Sequence, residues 1–431
     1  MRPQNLPQQD VPEAEAALRD TVTMILAGGQ GERLYPLTRD RAKPAVPFAG
    51  DFRLIDFTLS NCLNSGMRRV HVLTQYKSDS LNRHIRLGWN VYNPELGEYV
   101  EVNPPQMRLT SHWYLGTADA IHQNIYALEH ERPDQVLILS GDHVYKMDYC
   151  PMLGQHLEND ADLTIACIEV PRHEASRLGV LSVDDEMRTL ALDEKPDEPT
   201  VFPGSVERTG RPMSLCSMGV YIFDTETLVR RVVEDSKSST SHDFGRDVIP
   251  AMLEAGDRVF AYRFAACAAG KKPYWRDVGT LDVYWEAHMQ LLSDSPPMNL
   301  HDPQWPLRTY VPNAPPVQAI CGDHQTGEGP THICNSLLCN GAMIDRAQVR
   351  RSVLGPNVRI NPGSVVEDSV ILARCHVGRD AVVRKTVLDK ANRVPDGFQL
   401  GVDREQDQRH FTISEGGVVV VPKEMPLFSQ T

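Results

Sequence analysis

Three glycines, two cations and two aspartates set out the chemistry this chain can attempt. In "MILAGGQGERLYPLTRDRAKPAVPFAG", Met24 to Gly50, an apolar run leads into Gly28, Gly29 and Gly31, and Arg33 and Lys43 follow. Backbone N–H groups of such a loop approach an anion closely because no Cβ intervenes. Arg adds a planar fork for phosphate and Lys a point charge. Neither common phosphate loop fits: one ends in Gly-Lys-Ser/Thr, the other needs G-x-G-x-x-G at a helix start. Pro36 and Pro44 also exclude a long helix here. In "LSGDHVY", Asp142 comes directly after another apolar run, and "YWRDVGT" supplies Asp277. An acid facing a bound polyphosphate needs a cation between the two, and Mg2+ takes few carboxylates together with phosphate oxygens and water. Two carboxylates from distant segments can hold one or two such ions during a displacement at phosphorus.

A second group belongs to a second ligand. Lys195 in "LDEKP" precedes Pro196, which biases it towards an extended backbone. From there its ammonium can grip a phosphate, while Glu194 accepts from hydroxyls. Tyr114 and Gly116 in "WYLGTADA" offer a ring and a backbone of close approach. His242 and Asp243 in "SSTSHDFGRDVIP" have the residue types of a general base. A phosphate nucleophile is already anionic at pH 7, so that segment is assigned to the pocket wall. Taken alone, these residues imply two phosphorylated ligands and Mg2+.

The elements that must position them are short and alternating. Thr23–Ala27, Val70–Thr74, Gln135–Ser140 and Leu163–Val170 are apolar runs that predict buried strands. "TADAIHQNIYALEH" places Ile121, Ile125 and Leu128 on one helical face with Thr117 as N-cap. "RLIDFTLSNCLNSG" predicts a helix stopped by Gly66. Strand–helix alternation implies a mostly parallel sheet, which binds ligands at the carboxyl ends of its strands. The glycine loop and Asp142 both fall there. From Pro296 to Pro316 seven prolines and no periodicity predict a connector. Beyond it an apolar residue returns every six: Val353, Val358, Val365, Val370, Val377, Val382, Leu388 and Val394. That period fits a parallel β-helix, each short face contributing one inward aliphatic.

Composition narrows the class. A chain of 431 residues, 41% apolar and 23% charged, predicts two or three globular domains. The net charge of −13 argues against nucleic acid as a partner. No apolar run reaches the ~18 residues of a membrane span. The N-terminus lacks a signal-peptide core and is expected to fray up to Ala14. Nine scattered cysteines without C-x-x-C fit reduced thiols and a cytoplasmic location. His332, Cys334 and Cys339 lie close together in "HICNSLLC", where buried apolar cysteine is a better reading than zinc.

The string "LAGGQGERLYPLTRDRAKP" resembles the signature of the sugar-1-phosphate nucleotidyltransferases, L-x-G-G-x-G-T-R-L-x-P-L-T followed by K-P, with Glu32 where threonine is usual. "GTADA", "GDHVYKMDY", "EKP", "SMGVYIFD", "SHDFGRDVIP" and "PYWRDVGTLDVYW" extend the similarity, over roughly residues 21 to 420, to the bacterial glucose-1-phosphate adenylyltransferases. The resemblance implies a Rossmann-like, mostly parallel mixed sheet of the nucleotidyltransferase (GT-A-like) type, followed by a left-handed parallel β-helix of hexapeptide repeats. The expected boundaries are a flexible tail 1–20, a catalytic domain 21–295, a Pro-rich linker 296–330, and a β-helix 331–431 for oligomerisation and regulation. It further implies ATP and α-D-glucose 1-phosphate as substrates, ADP-glucose and pyrophosphate as products, and Mg2+ as cofactor. By resemblance, Arg33, Lys43 and Asp142 are catalytic and Asp142 and Asp277 hold the metal. Leu26, Gly28, Gly29, Gly31, Gln75, Gln106, Gly116 and Thr117 bind the nucleotide. Tyr114, Gly179, Glu194, Lys195, Ser217, Gly219 and Asp243 bind the sugar phosphate.

The resemblance also implies a homotetramer regulated by metabolites: sugar phosphates, AMP, ADP or phosphate. Arg41, Arg53 and Lys423 are the expected anion-binding groups. Many bacterial members carry lysine where Asp40 stands here, and an acid repels a sugar bisphosphate. An effector other than fructose bisphosphate is therefore expected. Three rivals are separable. A synthase using UTP or dTTP shares the loop and differs in the base pocket. A non-catalytic regulatory subunit would lack the catalytic residues, all of which are present. A hexapeptide acyltransferase needs a catalytic His beside an acyl-CoA cleft, and only His376 lies in the repeats.

Overall fold

The computed structural model describes residues 17–106, 113–264, 273–322 and 330–427. Among the described residues the first domain has, besides a short hairpin of Pro47–Phe48 and Phe52–Arg53, the strands β1 (Val22–Ala27), β2 (Arg69–Thr74), β3 (Tyr99–Asn103), β4 (Gln135–Ser140), β5 (His143–Tyr145), β6 (Leu163–Pro171), β7 (Gly179–Val183), β8 (Thr189–Glu194), β9 (Met213–Asp224), β10 (Val259–Arg263) and β11 (Trp275–Asp277). All of these numbered strands except β5 and β11 form one nine-stranded mixed sheet in the order β8-β7-β9-β4-β1-β2-β3, with β6 on β9 and β10 on β6. β1 runs parallel to β2 and β4, β2 to β3, and β6 to β10. β9 is antiparallel to β4, β6 and β7, and β7 to β8. Both faces of β1 are buried: Val22 and Met24 join one core, Ile25 and Ala27 the other. That is why its sequence is continuously apolar rather than alternating.

The helix over "RLIDFTLSNCLNSG" forms as Leu54–Ser65 (α1), closed by Gly66 at φ 91°. The second helix differs from expectation. It splits into Thr117–His122 (α2) and Ile125–Glu131 (α3). Asn124 breaks it: its side-chain amide donates to the carbonyl of Ala120 at 2.8 Å and to the Tyr114 hydroxyl at 3.0 Å. Thr117 is not the N-cap; Gly116 is. The Thr117 hydroxyl instead donates to Asp243 Oδ2 (3.1 Å) and accepts from the Phe244 N–H (3.0 Å).

The second domain is three stacked parallel ladders. One runs through Gln318–Ile320, Met343–Asp345, Arg359–Ile360, His376–Val377 and Arg393–Val394. Successive rungs pair Val349 with Val366, Val366 with Val383, and Val383 with Leu400. The coil therefore closes every 17 residues in this stretch, one short of three hexapeptides. Val366 and Val383, in line with Val349, are fully buried, whereas Val365 and Val382, which counting in sixes turns inward, are only partly so. The first rung, Gln318–Ile320, pairs with Met343–Asp345, so the ladder begins within the segment expected to be linker. Cys339 is buried and Cys334 exposed.

The connector is strapped to the first domain rather than loose. Trp305 Nε1 donates to Asn61 Oδ1 (3.0 Å), Arg308 Nε to the Gly88 carbonyl (2.9 Å), and Thr309 Oγ1 to Asp56 Oδ2 (2.7 Å). One apolar cluster crosses the domain boundary, with Leu34, Leu37, Phe48, Phe57 and Tyr284 against Val353, Val370, Val387 and Val420. Of the expected tail, residues 17–20 are helical, and Ala17 and Leu18 pack on the core. The stretch expected to fray, up to Ala14, lies outside the described residues. Among the described residues no helix is long and apolar enough to cross a membrane.

Candidate active site

Three neighbouring parallel strands end side by side, and each delivers part of the site. Leu26 of β1 pairs with Ser140 of β4 and with Leu73 of β2. Past those pairs the chain becomes Gly28–Gly31, Asp142 and Gln75. Gly141 lets the β4 loop turn in close. Its N–H donates to the Leu26 carbonyl at 3.0 Å, and a Cβ there would sit 3.2 Å from Ile25 and 3.6 Å from the Pro44 ring. The cleft at these ends has a volume of about 570 Å³. It is lined by Leu26, Gly29, Gly31, Arg33, Lys43 and Asp142, together with Gly279.

Asp277 reaches the cleft by a route not visible in spacing. β11 pairs antiparallel with β5, setting Asp277 opposite His143. Lys43 then lies between the two aspartates, its Nζ 2.8 Å from Asp142 Oδ2 and 2.8 Å from Asp277 Oδ1. The other oxygen of Asp142 accepts from Ser140 Oγ. Burial, the largest single influence, would raise the Asp142 carboxyl, but the Lys43 and His143 charges with the hydrogen bonds from Lys43 and Ser140 together outweigh it and hold the group well below the usual carboxylate range. Burial would likewise lower Lys43, yet the two carboxylates raise it above an ordinary lysine. Both ionised forms are therefore fixed at neutral pH. Arg33 is exposed and has no salt-bridge partner among the described residues, and its guanidinium lies near Gly279.

The expected nucleotide residues Leu26, Gly28, Gly29 and Gly31 sit together in the loop, and Gln75 faces them. Gln75 also locks the neighbouring segment: its Oε1 accepts from the Tyr114 N–H at 2.7 Å. Gln106 is exposed beyond β3. Gly116 is required by the packing of the protein itself, since a Cβ there would overlap the carbonyl oxygens of Ser241 and His242. Asp243 is similarly engaged. Its Oδ1 accepts from the N–H groups of Gly245 (3.0 Å) and Arg246 (3.1 Å), and its Oδ2 from Thr117.

Of the residues expected to bind the sugar phosphate, Gly179, Glu194, Ser217 and Gly219 gather where β9 is distorted. Its register against β6 shifts between Ser217 and Tyr221, the re-aiming that bulges provide beside sites. The Gly219 N–H donates to Ser217 Oγ at 3.2 Å. The Glu194 carboxylate packs against Gly179 and Gly245, and Lys195 Nζ donates to its Oε1 at 2.6 Å. The backbone of Lys195 is not extended: φ is 55°. β8 ends at Glu194 and the chain must reverse at once, with the Lys195 N–H donating to the Leu178 carbonyl at 3.1 Å. That tertiary demand overrides the preference set by Pro196.

Sequence reasoning passed over His143, which joins the two halves. Its Nε2 lies 3.5 Å from Asp142 Oδ1, its ring meets Trp275 edge-on at 4.9 Å, and its Cε1 lies beside Gly219. The signal was present, since His143 follows Asp142 directly, but no spacing rule singles it out. The expected effector residues lie apart, at the domain boundary. Arg41 forks onto Asp389 with two 3.0 Å bonds, both groups almost wholly buried. Arg53 donates to the Ser80 carbonyl and hydroxyl at 2.8 Å. Lys423 offers its carbonyl to Arg39. Lys390, not anticipated, joins them: burial, then Arg53 and Arg41, push its ammonium down to about 7.

The pattern of the Nucleotidyl transferase family matches residues 22–294, and that of the GlmU-like, C-terminal hexapeptide family matches residues 315–421. Glucose-1-phosphate adenylyltransferase 2 of Vibrio cholerae is 46% identical over 409 residues, covering 94% of this chain and 98% of that protein. The enzyme of the same name from Alkalilimnicola ehrlichii is 46% identical over 407 residues, 94% of each chain. Glucose-1-phosphate adenylyltransferase of Rhodopirellula baltica is 44% identical over 430 residues, 98% of this chain and 95% of that one.

Proposed function

The chain belongs to the nucleotidyl transferase family, among its glucose-1-phosphate adenylyltransferases, and from that premise we propose the reaction its cleft performs. It transfers the adenylyl group of ATP to α-D-glucose 1-phosphate, giving ADP-glucose and pyrophosphate, the precursor step of α-glucan synthesis. An oxygen of the sugar phosphate forms the new bond to the α-phosphorus. The bond to the β-phosphate oxygen breaks, and pyrophosphate leaves with its electron pair. The nucleophile is already anionic, so no general base and no covalent enzyme intermediate are required.

The observation that carries this reading is the convergence of Lys43, Asp142 and Asp277 beneath the glycine loop. The loop amides and Arg33 face the polyphosphate; Glu194, Lys195, Ser217 and Gly219 orient the second substrate. Alignment of this kind can supply on the order of 7–11 kcal/mol of a barrier, and fixed charges supply more where negative charge develops. Asp142 and Asp277 would hold Mg2+. Two carboxylates directed at one point suit a hard cation that takes its remaining oxygens from phosphate and water. Among the described residues no group of three or more His, Cys, Asp or Glu side chains gathers to hold an ion, so the remaining ligands on this reading are phosphate oxygens and water. When bound, the ion neutralises the departing pyrophosphate.

The working enzyme is a cytoplasmic homotetramer under metabolite control, on the same proposal. Arg53, Lys390 and Lys423 beside the Arg41–Asp389 pair supply the cationic surroundings for an anionic effector. Asp40, an acid where many members carry lysine, favours an effector other than fructose bisphosphate, although Arg39 pairs with it at 2.9 Å and offsets part of its charge. Pyrophosphate release tests the reaction, crossing ATP, UTP, dTTP, CTP and GTP against glucose, mannose, galactose and N-acetylglucosamine 1-phosphates. Turnover confined to ATP with glucose 1-phosphate is expected; a UTP or dTTP preference would move the chain to another branch of the family.

A further inference from the structure

Lys43 does two things that cannot hold at once. The nucleotide reading, on which this inference rests, needs its charge on the polyphosphate. The structure puts that charge on the aspartate pair, 2.8 Å from each carboxylate, in a side chain only 11% exposed. A divalent ion using both carboxylates would have to fit beside an ammonium already between them, and like charges at that range repel strongly in a half-buried site.

The geometry lets the lysine resolve the conflict by moving its head alone. Its backbone is pinned in the short turn Lys43–Ala45, where the Val46 N–H donates to the Lys43 carbonyl at 3.0 Å. Its stem runs against Gly31, the last glycine of the loop, with Cβ 3.1 Å from where a side chain on Gly31 would start. The aspartates and the loop therefore both lie within the sweep of one flexible side chain. Arg33, by contrast, is exposed and lies outside the pair.

We propose that Lys43 is a removable counter-ion that closes the aspartate pair to free divalent cations. The pair opens when a nucleotide draws Lys43 onto its phosphates, so the metal is admitted with the nucleotide and not before it. Lys43 thus couples metal affinity to nucleotide occupancy, a role separate from neutralising phosphate.

Mn2+ binding followed by electron paramagnetic resonance tests this without turnover. The free wild-type protein should bind Mn2+ weakly, and Lys43→Gln should bind it more tightly by at least about tenfold. With α,β-methylene-ATP present the two proteins should differ far less. Lys43→Gln leaves two carboxylates facing each other, so thermal unfolding with and without Mn2+ is the companion readout. Mn2+ should raise the midpoint of Lys43→Gln more than that of wild type. Unchanged or weaker Mn2+ affinity in nucleotide-free Lys43→Gln would overturn the proposal. The metal reading itself is judged separately: Asp142→Asn and Asp277→Asn should lose Mn2+ in the presence of the analogue, and retention there would refute that reading instead.

Discussion

Replacing Asp389 by Asn probes how the two domains are held and how that reaches the cleft. Arg41 forks onto both Asp389 oxygens at 3.0 Å, with side chains 4% and 1% exposed. Charge centres roughly 4 Å apart at an effective dielectric near 20 interact by about 4 kcal/mol. Breaking a buried pair from one side is known to cost about 3–5 kcal/mol, because the remaining charge stays buried. Asn keeps an oxygen for the Lys390 N–H, which Asp389 accepts at 2.7 Å, but it turns an amide N–H2 towards Arg41 Nη2. Arg53 and Lys390 lie close by and add to the unbalanced positive charge. Asp389→Asn should therefore lose about 3 kcal/mol, at the lower end of that range. The second variant, Arg41→Met with Asp389→Asn, should recover most of the loss, since neither charge is then left alone. Urea unfolding of the four proteins of the cycle measures the coupling. Arg41 is two residues from Lys43, so the single variant should also raise KM for ATP. A loss under about 1 kcal/mol, or a double variant no better than the single, would refute the reasoning.

Three further outcomes follow from the geometry. Lys195→Gln should raise KM for glucose 1-phosphate with little change in KM for ATP; the reverse pattern in initial-rate kinetics would remove Lys195 from the sugar-phosphate set. Gly116→Ala should destabilise by about 1–3 kcal/mol or more, as overpacking does, because its methyl meets the Ser241 and His242 carbonyls; an unchanged melting midpoint would show that those segments separate freely. Burial and the Arg53 and Arg41 charges push the Lys390 ammonium down to about 7 in the folded protein, from ~10.4 in the unfolded chain. Between those values the unfolded chain binds more protons, so stability should rise with pH from about 7 to 10 and be flat in this contribution below 7. Lys390→Met should flatten the rise in urea midpoint over that window, and an identical slope in both proteins would contradict the assignment.

The loop and Asp142 were legible because each sits at a strand end, a place fixed by local pattern. Apolar runs mark the strands, and parallel pairing sets their ends side by side. Asp277 needed the resemblance, since it arrives through the β5–β11 ribbon and no periodicity announces a three-residue strand. Local rules failed where a long-range contact governs a residue. Pro196 predicts an extended Lys195, but the turn onto Leu178 sets φ at 55°. Thr117 has the residue type of an N-cap, but Asp243 takes its hydroxyl. The β-helix was visible as an apolar period, while its phase was not: rungs 17 residues apart put Val366 and Val383 in line with Val349, and a count in strict sixes from Arg350 misses both by one. Asp389 carried no signal, because a buried partner for Arg41 is apparent only once the second domain has folded against the first.

The most direct measurement of the central claim is the rate of pyrophosphate release from ATP and glucose 1-phosphate by wild type and Asp142→Asn, at saturating Mg2+ and with folding checked by circular dichroism. The account predicts kcat lower by at least about a hundredfold in the variant, the scale on which removing one charge-stabilising group acts, with KM for glucose 1-phosphate little changed. Near-normal turnover by Asp142→Asn would contradict the assignment of catalysis to this cleft.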